Sequence, residues 1–120
     1  MEKFDFGMYS GYVSIPGTSK MIHYVLVESQ NDWEKDPLVI WMNGGPGCSS
    51  LLGWSQEIGP WALEDGALKF HKNEYAWNKE ANILFIEQPA GVGYSYCDFN
   101  KTEECSFNDT NTAQDNLKVI

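Results

Sequence analysis

Chemistry could sit in the stretch Asn43-Gly44-Gly45-Pro46-Gly47-Cys48-Ser49-Ser50, where glycines follow directly on an apolar run. Glycine at the end of a strand lets backbone N–H groups approach a ligand with no Cβ in the way. Pre-aimed N–H groups of this kind hold anions, and in acyl transfer they hold the oxyanion of the tetrahedral intermediate. The same residues also make a plain tight turn, but a strand before and a helix after favour the ligand-holding reading. A nucleophile is harder to find. Four Gly-x-Ser triplets occur, at Gly17, Gly47, Gly53 and Gly93, and none completes the Gly-x-Ser-x-Gly elbow. His23 falls inside a strand pattern and His71 in a polar turn region, so both read as structural or solvated rather than as catalytic bases. No Cys/His spacing suits zinc and no phosphate loop is present, so no metal and no cofactor are expected.

The elements that must position this loop follow from the pattern around it. Tyr12, Val13 and Ile15 give a short strand, Pro16-Gly17 a turn, and Met21 to Glu28 a second strand, together a hairpin-like antiparallel pair closed by the polar cluster Ser29-Gln30-Asn31-Asp32. Pro37-Leu38-Val39-Ile40-Trp41-Met42 is a continuous apolar run of strand length, as expected of a central strand covered on both faces. Leu51, Leu52, Trp54 and Ile58 have a short helical spacing, stopped by Gly59-Pro60. Between Trp61 and Lys79 the pattern is mixed, with turns at Glu64-Asp65-Gly66 and Lys72-Asn73-Glu74, and Tyr75 and Trp77 as packing anchors. Ala81 to Glu87 is a second buried strand, closed by Gln88-Pro89-Ala90-Gly91-Val92-Gly93, so the strand-then-glycine-loop pattern recurs. Asp109 or Thr110 caps a helix whose apolar positions are Ala113, Leu117 and Ile120.

Composition bounds the rest. The 120 residues and 13.6 kDa allow one small domain or part of a larger one. A 42% hydrophobic share can fill a core. All eight bases are lysine against 17 acids, a net charge of −9, which sets nucleic acid aside because counterion release needs a basic face. No run approaches the ~20 apolar residues of a membrane span, so no membrane partner is expected. The first residues lack the apolar stretch of a signal peptide. Cys48, Cys97 and Cys105 make an odd count, so at least one cannot pair within the chain, and Cys97 with Cys105 is an open local option. Asn100-Lys101-Thr102 and Asn108-Asp109-Thr110 are glycosylation sequons. Two apolar strands need more neighbours than this chain supplies, and the last helix stops with its pattern open, so the chain reads as truncated.

Trp41-Met42-Asn43-Gly44-Gly45-Pro46-Gly47-Cys48-Ser49-Ser50 resembles the signature of the serine carboxypeptidases, the family of carboxypeptidase Y and cathepsin A. Ser10-Gly11-Tyr12, Val27-Glu28-Ser29-Gln30, Glu57-Ile58-Gly59-Pro60, Trp77-Asn78 and Pro89-Ala90-Gly91-Val92-Gly93-Tyr94-Ser95-Tyr96 stand in the same family order, over roughly residues 9–117. The resemblance implies an α/β-hydrolase fold, a mixed sheet flanked by helices, of which residues 1–120 are the N-terminal portion before the nucleophile serine. It implies a serine-type carboxypeptidase acting on peptides or proteins with a free C-terminus, through an acyl-enzyme, with Ser, Asp and His of the triad beyond this chain. Gly45 would offer its N–H to the oxyanion. Asn43 and the Gly44 N–H would hold the substrate carboxylate, Glu57 would share a proton with a second carboxyl beside it, and Trp41 would line the site. That shared proton implies best activity at acid pH. Gly91, Val92, Gly93 and Tyr94 would shape the same pocket. Cys48 would be a half-cystine with its partner outside the chain, Asn100 and Asn108 would carry sugar, and the protein would be secreted or lysosomal/vacuolar. A related acyltransferase, a proline iminopeptidase-like enzyme and a pseudopeptidase that binds peptide C-termini share parts of the pattern. The segment alone is expected to be inactive.

Overall fold

The computed structural model describes residues 5–63 and 69–120. β-branched and aromatic residues over Met8–Ser14 (β1) and Met21–Val27 (β2) form the expected antiparallel hairpin, in register from Met8 opposite Val27 to Ser14 opposite Met21. Gly17 turns it at φ +76, in the left-handed region that glycine enters without strain. Leu38–Trp41 (β3) follows, then a short antiparallel pair, Trp61–Leu63 (β4) and Phe70–Lys72 (β5), in the stretch that gave no readable period. Asn82–Ile86 (β6) closes the set where the second apolar run predicts it. The expected turn at Glu64-Asp65-Gly66 lies outside the described residues.

The main sheet is mixed and four-stranded, in the order β1-β2-β6-β3, with β6 antiparallel to β2 and parallel to β3. Side chains alternate across it. Val25, Val27, Ile83 and Phe85 form one core, roofed by Leu51, Trp54 and Ile58 of the segment after β3. Ile22 and Ile86 join Ile15 on the opposite face, covered in part by Val119. Each such fully buried large side chain contributes about 1.5–3 kcal/mol. The sheet with cover on both faces is the α/β arrangement that the two apolar runs predict.

Several expectations are corrected. Among the described residues β3, with Leu38 54% exposed, pairs with β6 alone. Its apolar run reflects its two faces, Val39 and Trp41 packing into one core and Ile40 into the other, and says nothing about how many strands flank it. Residues Gly53–Glu57 form a π-helical turn, the Ile58 N–H reaching the Gly53 carbonyl at 2.9 Å. Tyr75 is no packing anchor, being 88% exposed, whereas Trp77 stands edge-on to Trp41 with ring centres 5.7 Å apart.

The last helices also differ from expectation. A single turn at Thr102–Cys105 (α1) precedes Asp109–Val119 (α2), and the cap of α2 is Asn108, not Asp109 or Thr110. Asn108 and Asn111 each accept the other's backbone N–H, a reciprocal box that satisfies two free donors. The stripe Ala113, Leu117 and Ile120 faces outward, with Leu117 76% exposed. Polar contacts orient α2 instead: Asp115 pairs with the buried Lys20 at 2.6 Å, and Asn116 reaches Gln88 at 3.4 Å. Cys97 and Cys105 form a disulfide across a Cα separation of 5.8 Å, and Glu104 beside it accepts from the Ser19 N–H and hydroxyl at 2.8 and 2.5 Å.

Candidate active site

Parallel β3 and β6 end side by side, and both glycine loops leave from those ends. At the first loop, Trp41, Asn43 and Glu57 form one hydrogen-bonded chain. The Trp41 indole Nε1 donates to Asn43 Oδ1 at 2.8 Å, and the Gly53 N–H donates to the same oxygen at 3.2 Å. With its carbonyl so occupied, the Asn43 amide must turn its Nδ2 outward, where it donates to Glu57 Oε1 at 3.3 Å. The main chain is fixed too: the Asn43 N–H donates to Ser50 Oγ at 3.1 Å, and Ser50 donates to the Ile86 carbonyl at 2.5 Å. Gly53 allows this closeness, since a Cβ there would overlap the Trp41 indole.

Gly44, Gly45 and Pro46 then pass along a cavity of about 590 Å³, bounded across from them by Gln88, Asn108 and Asn116. Gly44 and Gly45 are exposed, and Gly45 holds φ +134 before a cis peptide bond to Pro46. Cys48 is a free, exposed thiol. Asn100 and Asn108, the two sequon asparagines, are exposed. Asn108 keeps its Oδ1 in the α2 cap, which leaves the amide nitrogen on the outer side of that bond.

The second loop divides between two cavities. Gln88 and Pro89 line the cavity beside Gly44, whereas Tyr94 lines a separate cleft of about 400 Å³ with His23, Tyr12 and Trp54. The cause is Glu87, which sequence reasoning treated only as the end of a strand. It is fully buried and accepts the Tyr94 N–H at 2.8 Å and His23 Nδ1 at 2.9 Å on Oε2, while Oε1 accepts the Ser49 hydroxyl. A carboxylate at the end of an apolar strand, just before a proline, was the available signal. His23 is thus a buried structural partner, and His71 sits exposed on β5. Among the described residues no group of three or more His, Cys, Asp or Glu side chains is gathered as a metal site. No helix among them is long and apolar enough to cross a membrane.

A mixed α/β sheet whose parallel strands end in a glycine loop beside an Asn–Glu pair is the frame of a hydrolase-type site. Comparison with known proteins narrows this frame. The profile described as serine carboxypeptidase matches residues 1–120, and the chain belongs to that family. It is 56% identical over 99 residues to serine carboxypeptidase ctsa-4.1 of Caenorhabditis elegans, covering 82% of this chain and 21% of that protein. It is 47% identical over 115 residues to the lysosomal protective protein of Mus musculus, covering 96% of this chain and 23% of that protein. Among solved structures, the prohormone-processing carboxypeptidase Kex1(delta)p of Saccharomyces cerevisiae superposes with a TM-score of 0.74 at 28% identity, over 92% of this chain and 26% of that one. The chain thus spans 21–26% of the length of these relatives.

Proposed function

We propose that these 120 residues are the N-terminal portion of an α/β-hydrolase domain that removes C-terminal residues from peptides and proteins through an acyl-enzyme. The observation that carries this reading is the Trp41–Asn43–Glu57 chain. It aims an uncharged amide donor outward at the rim of the glycine loop, the disposition needed to hold a carboxylate. Asn43 and the Gly44 N–H hold the substrate's C-terminal carboxylate, Glu57 completes that end, and Trp41 fixes the Asn43 amide. Gly45 supplies one N–H to the oxyanion, and the second donor follows the nucleophile in a part of the protein beyond these residues. The exposed Cys48 pairs there as well. The Cys97–Cys105 disulfide and two exposed sequon asparagines support a secreted or lysosomal/vacuolar protein, where thiols oxidise and sugar is added.

The full-length protein is expected to release the C-terminal residue of an N-blocked dipeptide, detected by its freed amine, and to lose this activity on treatment with a serine-directed fluorophosphonate. The 120-residue segment alone should show no turnover, since half an oxyanion hole without a nucleophile leaves at most residual catalysis. Absence of release by the full-length protein, or turnover by the segment alone, contradicts the proposal.

A further inference from the structure

Glu87 is a fully buried carboxylate for which the proposed chemistry has no use, yet it is tied to three separate segments of the chain. Through His23 it holds β2, through the Tyr94 N–H it holds the second glycine loop, and through the Ser49 hydroxyl it holds the far end of the first. Its own backbone joins the same knot. The Glu87 N–H donates to the His23 carbonyl at 3.0 Å, while Ser95 Oγ accepts from the His23 N–H at 2.8 Å and donates to the Glu87 carbonyl at 2.5 Å. Gly93, at φ +56, lies so close that a Cβ would overlap the carboxylate. A buried carboxylate needs its oxygens satisfied, and of the three donors here the Ser49 hydroxyl comes from the glycine loop of the candidate site.

We infer that Glu87 is a positioning residue which sets the oxyanion-binding stretch Gly45–Ser49 through the Ser49 hydroxyl, an inference that rests on the carboxypeptidase reading. The two halves of the first loop are anchored differently. Asn43 is held by Trp41, the Gly53 N–H and Ser50, through bonds that do not run to the Glu87 carboxylate. The stretch after it has, within the chain, the Cys48 N–H bond to the Gly44 carbonyl at 3.2 Å, the Leu52 N–H bond to the Ser49 carbonyl at 3.1 Å and the Ser49 hydroxyl anchor on Glu87. Ser49 Oγ also accepts the Leu51 N–H at 3.2 Å, so its hydroxyl is fixed as a donor to Glu87 and an acceptor from the first turn of the helix. Loosening this anchor therefore moves Gly45, which acts in the transition state, and spares Asn43, which acts in binding. The kinetic signature is a loss in kcat at constant KM.

Glu87→Gln is nearly isosteric and makes a specific substitution of bonds. The side-chain oxygen must stay with the Tyr94 N–H and His23, which leaves the amide nitrogen facing Ser49 and forces that hydroxyl to turn from donor to acceptor. In the full-length protein, Glu87→Gln and Ser49→Ala are each expected to lower kcat on an N-blocked dipeptide by about tenfold, with KM within about twofold. The double variant should be no worse than the weaker single, because both act on the same link, Glu87→Gln by reversing it and Ser49→Ala by removing it. Should Glu87→Gln fail to fold, Ser49→Ala decides alone, since it leaves the carboxylate and its other partners in place. A kcat within twofold of wild type in the folded variants, a loss confined to KM, or losses that multiply in the double variant would overturn the inference. Wild-type protein that does not cleave the substrate at all overturns the carboxypeptidase reading and this role with it. Wild-type turnover with unaffected variants removes only the role of Glu87.

Discussion

The loop after β3 and the loop after β6 begin alike and end in opposite uses. Each leaves the end of a parallel strand, each contains a cis peptide bond before proline, and each has two glycines at positive φ. In the first, added Cβ atoms at Gly44 and Gly47 would meet open space, and the residues from Gly44 to Cys48 are exposed. In the second, Gly93 is pressed against a buried carboxylate, and Val92 and Ser95 are buried. The same glycine-and-proline composition thus leaves one loop open and lets the other close on a buried side chain. What separates them is where the nearest polar side chain points: Asn43 aims its amide outward, and Glu87 aims its carboxylate inward.

The largest expected effect strikes the packed loop. Gly93→Ala meets both left-handed strain and the Glu87 carboxylate, and should destabilise the full-length protein by about 3 kcal/mol in a denaturant titration. Gly47→Ala, also at positive φ but with nothing in its way, should cost about 1–2 kcal/mol. Equal losses would erase the distinction between the loops. In the open loop the effect should fall on activity: Asn43→Ala is expected to lower kcat/KM for peptides by about 10–100-fold through removal of the outward donor. Trp41→Phe keeps the ring and loses only the indole donor, so a rise in KM of about three- to tenfold is expected.

The smallest effect concerns how the packed side is pinned at its far end. The Ser19 hydroxyl, aided by the Ser19 N–H and Lys101, holds the Glu104 carboxyl below its ordinary range. A depressed folded-state value stabilises above the ordinary carboxylate range and is lost as pH falls through the folded value. The melting-temperature gap between wild type and Glu104→Gln should therefore be widest near neutral pH and narrow on acidification. A gap that does not change with pH would show that the Ser19 contact contributes no proton linkage.

How much of this was legible follows from what each residue type dictates. Glycine and proline fix the backbone locally, so the strand–loop–helix order around Asn43 to Ser50 reads directly from the chain, and both apolar runs become strands. How β3 is flanked does not, because Val39, Ile40 and Trp41 report the faces of a strand, and hydrogen bonding along its sides leaves no mark on composition. The open stripe of α2 is also legible, Leu117 being 76% exposed, whereas the contacts that orient the helix, Asp115 with Lys20 and Asn116 with Gln88, join residues far apart in the chain and leave no periodic mark. Trp41, Asn43 and Glu57 form one hydrogen-bonded chain that no spacing in the sequence spells out, and Tyr94 lines another cleft, with its N–H bonded to Glu87. That bond joins residues seven apart across a turn, and no periodicity signals it. The Cys97–Cys105 pairing likewise depends on the path of the chain through α1.

The central claim, that the open loop reads a terminal carboxylate through Asn43, is tested most directly by comparing two substrates. Rates are measured for the full-length protein on an N-blocked dipeptide with a free C-terminal carboxylate and on the same dipeptide as its amide, for wild type and for Asn43→Asp. The wild type should favour the acid by at least about tenfold, and Asn43→Asp, which sets a negative charge where the anion must lie, should abolish or reverse that preference. Equal rates on acid and amide in the wild type, or an unchanged preference in Asn43→Asp, would contradict it.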